Sequence, residues 1–295
     1  MNIRIKFQKY GVMKFIGHLD MMRYFQKAIR RADIDIAYSE GYSPHQIMSF
    51  AAPLGVGVTS DGEYFDIRAN SSHSSQESIQ ALNEVMAEGI SVLEYKLLPD
   101  TAKTSMSLVA AADYLIYTKP GYASLAETPE ELQAKVQAFY EHQSEILIAK
   151  QTKKREITMD LKPLIYEMNA LNLRSEETLR ARKIKNPELL NACRENGAED
   201  YIPALFLKVC TGSADNVKPE LVLEAFSNFH GLSLEMAGLQ IHRLEVYAKA
   251  DEIPVKGETE RKLYENYLQK QKRIYQRQGI AFPEFVTLGE LGKDI

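Results

Sequence analysis

Apolar and polar residues alternate at the start of the chain. In the segment NIRIKFQK (2–9), Ile3, Ile5 and Phe7 alternate with polar residues, which is typical of a half-buried β-strand. From His18 onward, apolar residues recur at spacings of three and four, which predicts an amphipathic helix with a basic outer face. The apolar positions of this helix are Met22, Phe25, Ile29 and Ala32.

The pattern continues with two strands, a helix and a strand. Residues 47–58 and 62–69 have strand character and flank Asp61-Gly62, a dipeptide typical of a hairpin turn. A helical stripe follows at about 75–88 and a strand after Gly89. The order strand, helix, strand, strand, helix, strand predicts a ferredoxin-like (βαββαβ) half with an antiparallel sheet over residues 1–104.

The second part of the chain shows the same order of elements. Residues 105–250 predict a second ferredoxin-like half, with a polar insertion near 174–200 that has a short helix of its own near Pro187. Its first helix begins with Thr128, Pro129 and Glu131, the signature of a capped N-terminus. Residues 251–295 predict a C-terminal helix after Pro254, and then a tail. The expected fold class is therefore α+β, with two tandem ferredoxin-like halves and a C-terminal helix.

Composition excludes several classes of protein. Charged residues make up 26% and hydrophobic residues 45% of the 295 residues, which are ordinary values for a globular protein. We find no uninterrupted apolar run long enough to cross a membrane and no signal-peptide pattern at the start, so we expect a cytoplasmic protein without a membrane partner. Cys193 and Cys210 have no metal-ligand spacing, and dinucleotide and phosphate-loop motifs are missing. We therefore expect no metal and no cofactor.

Charge is distributed unevenly. Residues 1–31 contain eight Lys or Arg and one acid, a local charge of +7, although the whole chain has a net charge of −4. Such a concentration of positive charge favours phosphate binding. The candidate phosphate-binding residues are Arg23, Lys27, Arg30 and Arg31 on the predicted helix. The structural alternative for each of them is an ordinary solvated helix face.

His18 and His45 are the candidate catalytic residues. An imidazole can act as a general acid or base at neutral pH, and His18 stands beside Asp20 at the predicted helix start. Their spacing of two residues directs the side chains to different sides of a helix, so a direct pair is not expected. The structural alternative gives Asp20 a helix-dipole role and a bridge to Arg23.

The segment SEGYSPHQ (39–46) is rich in turn-forming residues. Turn chemistry alone explains Gly41 and Pro44. Ser39, Tyr42 and His45 in the same loop also provide hydroxyl, aromatic and imidazole groups that suit RNA or a small ligand. Both interpretations stay open from the sequence.

Several of these segments resemble a known family. Over about residues 1–250, the chain resembles the radical SAM-linked protein family. The motifs that carry the resemblance are His18-Leu19-Asp20, Arg30-Arg31, Ser39-x-Gly41-x-x-Pro44, Leu54-Gly55, and the segments DLKPLIYEM and NVKPELVLEAF. This family is a domain of unknown function that occurs alone or C-terminal to B12-binding-type radical SAM proteins. Gly17 departs from the pattern, because a serine commonly precedes the His-Leu-Asp segment.

The resemblance implies a radical SAM protein as partner, encoded nearby or fused. The chain lacks the three-cysteine motif that holds an iron–sulfur cluster, so it is not expected to be a radical SAM enzyme itself. The leading hypothesis is an accessory module that presents RNA or a tRNA-like substrate to this enzyme. Two alternatives stay open: a stand-alone RNA-cleaving or RNA-modifying enzyme that uses His18 and His45, and a pure protein-interaction subunit that docks through the C-terminal helix.

Overall fold

The structure is a computed structural model that describes residues 1–151, 156–184, 189–191, 201–212 and 215–295. It has a mixed α+β fold with mostly antiparallel strand pairing, which confirms the predicted class. Pro187 lies outside the described residues, but residues 189–191, within the short helix predicted near it, are helical. Among the described residues, no helix is both long and apolar enough to span a membrane.

The elements follow the predicted order closely. The strands are β1 (Asn2–Lys9), β2 (Met48–Phe50), β3 (Thr59–Arg68), β4 (Ile90–Leu98), β5 (Val109–Thr118), β6 (Leu147–Gln151), β7 (Glu156–Asp160), β8 (Ile165–Asn172), β9 (Pro203–Cys210), β10 (Leu239–Lys249) and β11 (Phe285–Thr287). The α-helices of the described residues are α1 (His18–Arg31), α2 (Ser75–Glu84), α3 (Ser105–Leu108), α4 (Pro129–Val136), α5 (Glu176–Ala181), α6 (Pro219–His230) and α7 (Glu258–Arg277).

The chain divides into two compact units. The first comprises residues 1–56, 62–111 and 246–295, and the second comprises residues 57–61 and 112–245. The C-terminal segment 246–295, which includes α7, therefore belongs to the same unit as the N-terminal strand.

In the first unit the strands follow the order β4-β1-β3-β2. Apolar residues of β1 pack against α1, and the ring of Phe7 lies 4.6 Å from that of Phe25. Phe25 in turn contacts Phe65 of β3 at 4.7 Å. This aromatic cluster fixes α1 against one face of the sheet, with its polar side toward solvent.

The other face of β1 is also covered. Arg4 is 1% exposed and forms a two-point ion pair with Asp66, at 2.8 and 3.1 Å. Its third contact is the carbonyl of Leu288 at 3.0 Å, and the backbone N–H of Ser105 donates to Asp66 at 2.6 Å. The predicted half-buried strand is therefore buried on both faces, because the polar face contacts the C-terminal segment.

In the second unit the strands follow the order β10-β5-β9-β8, and β8 pairs with β9 in antiparallel orientation. Strands β6 and β7 form a separate two-stranded antiparallel sheet. The N-terminus of α4 is capped as predicted, since the hydroxyl of Thr128 accepts from the N–H of Glu131 at 3.2 Å.

The predicted hairpin turn at Asp61-Gly62 is wrong. Both residues lie inside β3, and Gly62 does not have the positive φ that a tight hairpin turn requires. Thr59 instead pairs with His242 of β10, and its hydroxyl lies 2.9 Å from Nδ1 of that buried imidazole. The carboxylate of Asp61 lies 3.3 Å from Nε2 of His242. A long-range buried contact therefore overrides the local turn preference.

The ion pair of Arg4 makes a testable prediction about stability. Replacing Asp66 by alanine leaves a buried guanidinium without its carboxylate, so we expect the free energy of unfolding to fall by about 3–5 kcal/mol. The control is Asp20→Ala, which breaks the exposed pair with Arg23 and should cost less than about 1 kcal/mol. Urea denaturation of both variants measures the difference, and equal losses would contradict the importance of the buried pair.

Candidate functional site

The candidate site is the outer face of α1 together with the loop at 38–47 that precedes β2. Met21, Phe25, Ala28 and Ile29 are the buried residues of α1. Arg23, Lys27 and Arg30 are exposed and follow one another at spacings of four and three. Side chains at these spacings lie on one side of a helix, so these cations form a stripe.

The beginning of α1 has the predicted features. Gly17 is the N-cap and provides no side-chain hydrogen bond. Asp20 lies in the first turn and pairs with Arg23 at 3.0 Å, as predicted, with both side chains about two-thirds exposed. An exposed pair of this kind is weak, so a ligand phosphate can readily replace the carboxylate of Asp20 at Arg23. Arg23 thus stays accessible to a ligand.

The two consecutive arginines contact different parts of the unit. Arg30 donates through Nε to the carbonyl of Gln26 at 3.3 Å. Arg31 donates through Nη2 to the carbonyl of Val85, just after α2, at 3.0 Å. Arg31 is therefore partly engaged by the protein, and Arg30 and Lys27 are the better placed cations for a ligand.

Three cations of the basic N-terminal segment do not contribute to this surface. Arg4 is buried against Asp66, and Lys6 lies 3.7 Å from Glu94. Lys9 is 3% exposed and donates to the carbonyl of Ile16 at 2.9 Å. The charge of +7 therefore overstates the basic surface, because β1 uses its cations for internal contacts.

Asp35, four residues after the end of α1, accepts two side-chain hydrogen bonds. The side chains of Asn70 and Ser71 donate to the Asp35 carboxylate at 2.8 and 2.7 Å. These hydrogen bonds, with that of Asn70 the stronger cause, lower the pKa of Asp35. Asp35 is therefore ionised at neutral pH.

The loop places Ser39 and His45 together. The hydroxyl of Ser39 lies 2.9 Å from Nδ1 of His45, and the backbone N–H of His45 donates to the same hydroxyl at 3.1 Å. The backbone N–H of Ser39 donates to the carbonyl of His45 at 2.8 Å, which closes the loop at its base. Tyr42 is at the tip and fully exposed. With Tyr38, which is 49% exposed, the loop thus presents two tyrosine rings and one imidazole to solvent.

Gln46 joins this loop to α1. Its amide Nε2 donates to the carbonyl of Gln26 at 3.2 Å, the same carbonyl that accepts from Arg30. Gln46 is 6% exposed although it follows a polar loop. Gln46 was not among the predicted site residues, because the sequence carries no signal that distinguishes it from other polar loop residues. The loop and the cationic stripe are consequently parts of one surface.

The two candidate catalytic histidines have different surroundings. His18 packs edge-on against Phe50 at a ring distance of 5.3 Å, whereas His45 contacts Ser39 and, at 3.5 Å, the carbonyl of Ser43. Their contacts give no direct support for a shared acid–base pair. His18 has an aromatic packing contact, and His45 has a polar one.

Apolar side chains are exposed beside the start of α1. Val12, Phe15 and Leu19 are 76, 62 and 61% exposed. Leu19 precedes Arg23 by four residues and therefore extends the cationic stripe with an apolar contact. These residues were not among the predicted site residues. Within the described part of the chain, no group of three or more His, Cys, Asp or Glu side chains could hold a metal ion.

Comparison with known families identifies the chain. A family model matches residues 2–219, and its description is DUF2344, an uncharacterized protein conserved in bacteria. The chain belongs to the DUF2344 family. The matched region includes α1 and the loop of the candidate site, so this surface lies within the family domain.

Other comparisons add little to this assignment. No functionally curated protein matches the chain. A crystal structure of an unknown protein from Galdieria sulphuraria is 10% identical and covers 82% of this chain and 96% of its own, with a TM-score of 0.18. That likeness is too low to inform either the fold or the function of this DUF2344 protein.

The role of Gln46 can be tested by hydrogen exchange. We expect Gln46→Ala to raise the amide exchange rates of residues 38–47 and leave those of α1 nearly unchanged, because one buried hydrogen bond is worth about 1 kcal/mol. The matched control is Gln80→Ala, which removes an exposed contact with Glu84 on α2. Unchanged exchange of the loop in Gln46→Ala would show that Gln46 does not hold it.

Proposed function

We propose that this DUF2344 protein is an accessory module that binds RNA, or a tRNA-like substrate, through α1 and the adjoining loop. The observation that carries the proposal is the stripe of exposed cations joined to an aromatic loop through Gln46. Arg23, Lys27, Arg30 and Arg31 contact phosphates in this proposal. Tyr42, His45 and Ser39 contact bases and sugars.

The geometry suits a single-stranded segment. The stripe from Arg23 to Arg30 extends over about 10 Å of helix, a length over which a nucleic-acid strand carries several phosphates. Exposed aromatic rings provide stacking platforms for unpaired bases, and the ring of Tyr42 has no packing role. Phosphate contacts supply affinity, and the loop supplies contacts to bases.

The proposed partner is a radical SAM enzyme. The chain resembles radical SAM-linked proteins and lacks cysteines with cluster-binding spacing, so the chemistry would come from the partner. Helix α7 is a suitable docking element, since it exposes Leu263 and Tyr267 by 66 and 51%. We propose a cytoplasmic location for this complex.

We further propose that the chain consists of two tandem ferredoxin-like halves. The strand orders β4-β1-β3-β2 and β10-β5-β9-β8 support this, because each places the first and third strands of its half at the centre. In the second half, β8 is the second of the four strands along the chain, and β6 and β7 form a sheet of their own.

One observation favours a second function, in which the chain itself acts on RNA. The 2.9 Å contact between the hydroxyl of Ser39 and Nδ1 of His45 is within proton-transfer distance. Incubation of the purified protein with RNA would then give altered or cleaved products that His45→Ala no longer forms. Persistent activity in His45→Ala, or no product at all, would contradict this function.

The leading proposal predicts the salt dependence of RNA binding. Replacing Arg23, Lys27 and Arg30 together by alanine should reduce the slope of log K against log salt concentration by about 2, since each phosphate contact on a single strand contributes about 0.7. Fluorescence anisotropy with a single-stranded RNA at several salt concentrations measures this slope.

The control is a variant that loses three positive charges on α7, in the same unit. Lys270, Arg273 and Arg277 are exposed on α7, and their triple alanine variant should keep the wild-type slope. An unchanged slope in the α1 variant, or equal reductions in both variants, would contradict binding at α1.

A further inference from the structure

A cleft of about 290 Å³ lies in the first unit, away from the residues of α1. It is formed where β2, β3 and β4 meet the segment at 100–104, and Lys256 closes its rim. Ile47, Leu98 and Ala102 give it an apolar wall. Volumes of roughly 300 Å³ are the lower end of those that small-molecule sites have.

Two charged groups that line the cleft are paired within the fold. Asp66 lines the cleft, and its carboxylate accepts from Arg4 and from the backbone N–H of Ser105. Lys103, another lining residue, is paired with Glu252 at 3.2 Å. These groups are already satisfied, so they shape the cleft without competing for a ligand.

Two cations at the cleft are not engaged in this way. Arg68 and Lys256 are exposed, and neither side chain has a hydrogen-bond or ion-pair partner among the described residues. The backbone around Lys256 is fixed, because its N–H donates to the carbonyl of Thr101 at 2.6 Å. A fixed backbone beside two available cations favours an anionic ligand.

A buried hydroxyl provides the second, independent observation. Thr101 lines the cleft, and its Oγ1 is buried without a hydrogen-bond partner among the described residues. Buried hydroxyls in folded proteins nearly always have partners, so the hydroxyl of Thr101 is available to a polar group that enters the cleft.

We propose that this cleft binds a small phosphomonoester carried on a ribose-sized polyol. Arg68 and Lys256 bind the phosphate, whose charge of nearly −2 at neutral pH matches two cations. Thr101 donates to an oxygen of the ligand. Asp100, on the rim, accepts from a sugar hydroxyl, as acidic residues do for ribose in nucleotide sites. The apolar wall covers the remaining body of the ligand.

Isothermal titration calorimetry of the full chain tests this site. The probes are ribose 5-phosphate and AMP, with inorganic phosphate and adenosine as partial ligands. We expect at least one of the two phosphorylated probes to bind saturably, and about tenfold or more tighter than either partial ligand. Tighter binding of ribose 5-phosphate identifies the body of the ligand as a sugar alone, and tighter binding of AMP identifies it as a nucleoside.

Variants locate the binding. The Arg68→Ala/Lys256→Ala double variant should weaken binding of the better probe by about tenfold or more, and Thr101→Val should weaken it measurably. The control is Arg261→Ala/Lys262→Ala on α7, which removes the same charge and should stay within about twofold of the wild type. No saturable binding, phosphate alone binding as tightly as the probes, or unchanged affinity in the cleft variants overturns the proposal.

Discussion

The first unit depends on one buried ion pair. Arg4 has three hydrogen bonds, two to Asp66 and one to the carbonyl of Leu288, and is almost completely removed from solvent. A buried guanidinium is tolerated only when its donors are satisfied, so the C-terminal segment must lie against this face of β1. The pair thereby connects the two ends of the chain within one unit.

This constraint determines which surface is available for binding. The apolar residues of β1 face α1, and Arg4 on its other face contacts the C-terminal segment at Leu288. With both faces of the strand covered, the outward side of α1 becomes the exposed surface of this layer. The cations of α1 consequently meet solvent, whereas those of β1 are used inside the fold. Position relative to the sheet, and not the total charge, decides which cations can meet a ligand.

Sequence patterns predicted the elements well where the signal is local. The stripe of α1, the cap at Thr128 and the ion pair between Asp20 and Arg23 all depend on residues within one helix, and the structure contains each of them. Long-range features were not predictable in the same way. Asp61 belongs to a strand because of His242, nearly two hundred residues away. Gln46 matters through the carbonyl of Gln26, a contact that no spacing rule indicates.

The central claim is that α1 and the loop before β2 bind RNA, and ultraviolet cross-linking followed by mass spectrometry tests it most directly. The protein would be irradiated with single-stranded RNA at low salt, and the cross-linked peptides identified. The account predicts cross-links in residues 18–31 and 38–47, with Tyr42 prominent because its ring is fully exposed. Cross-links confined to other surfaces, or none above those of a non-binding protein, would contradict it.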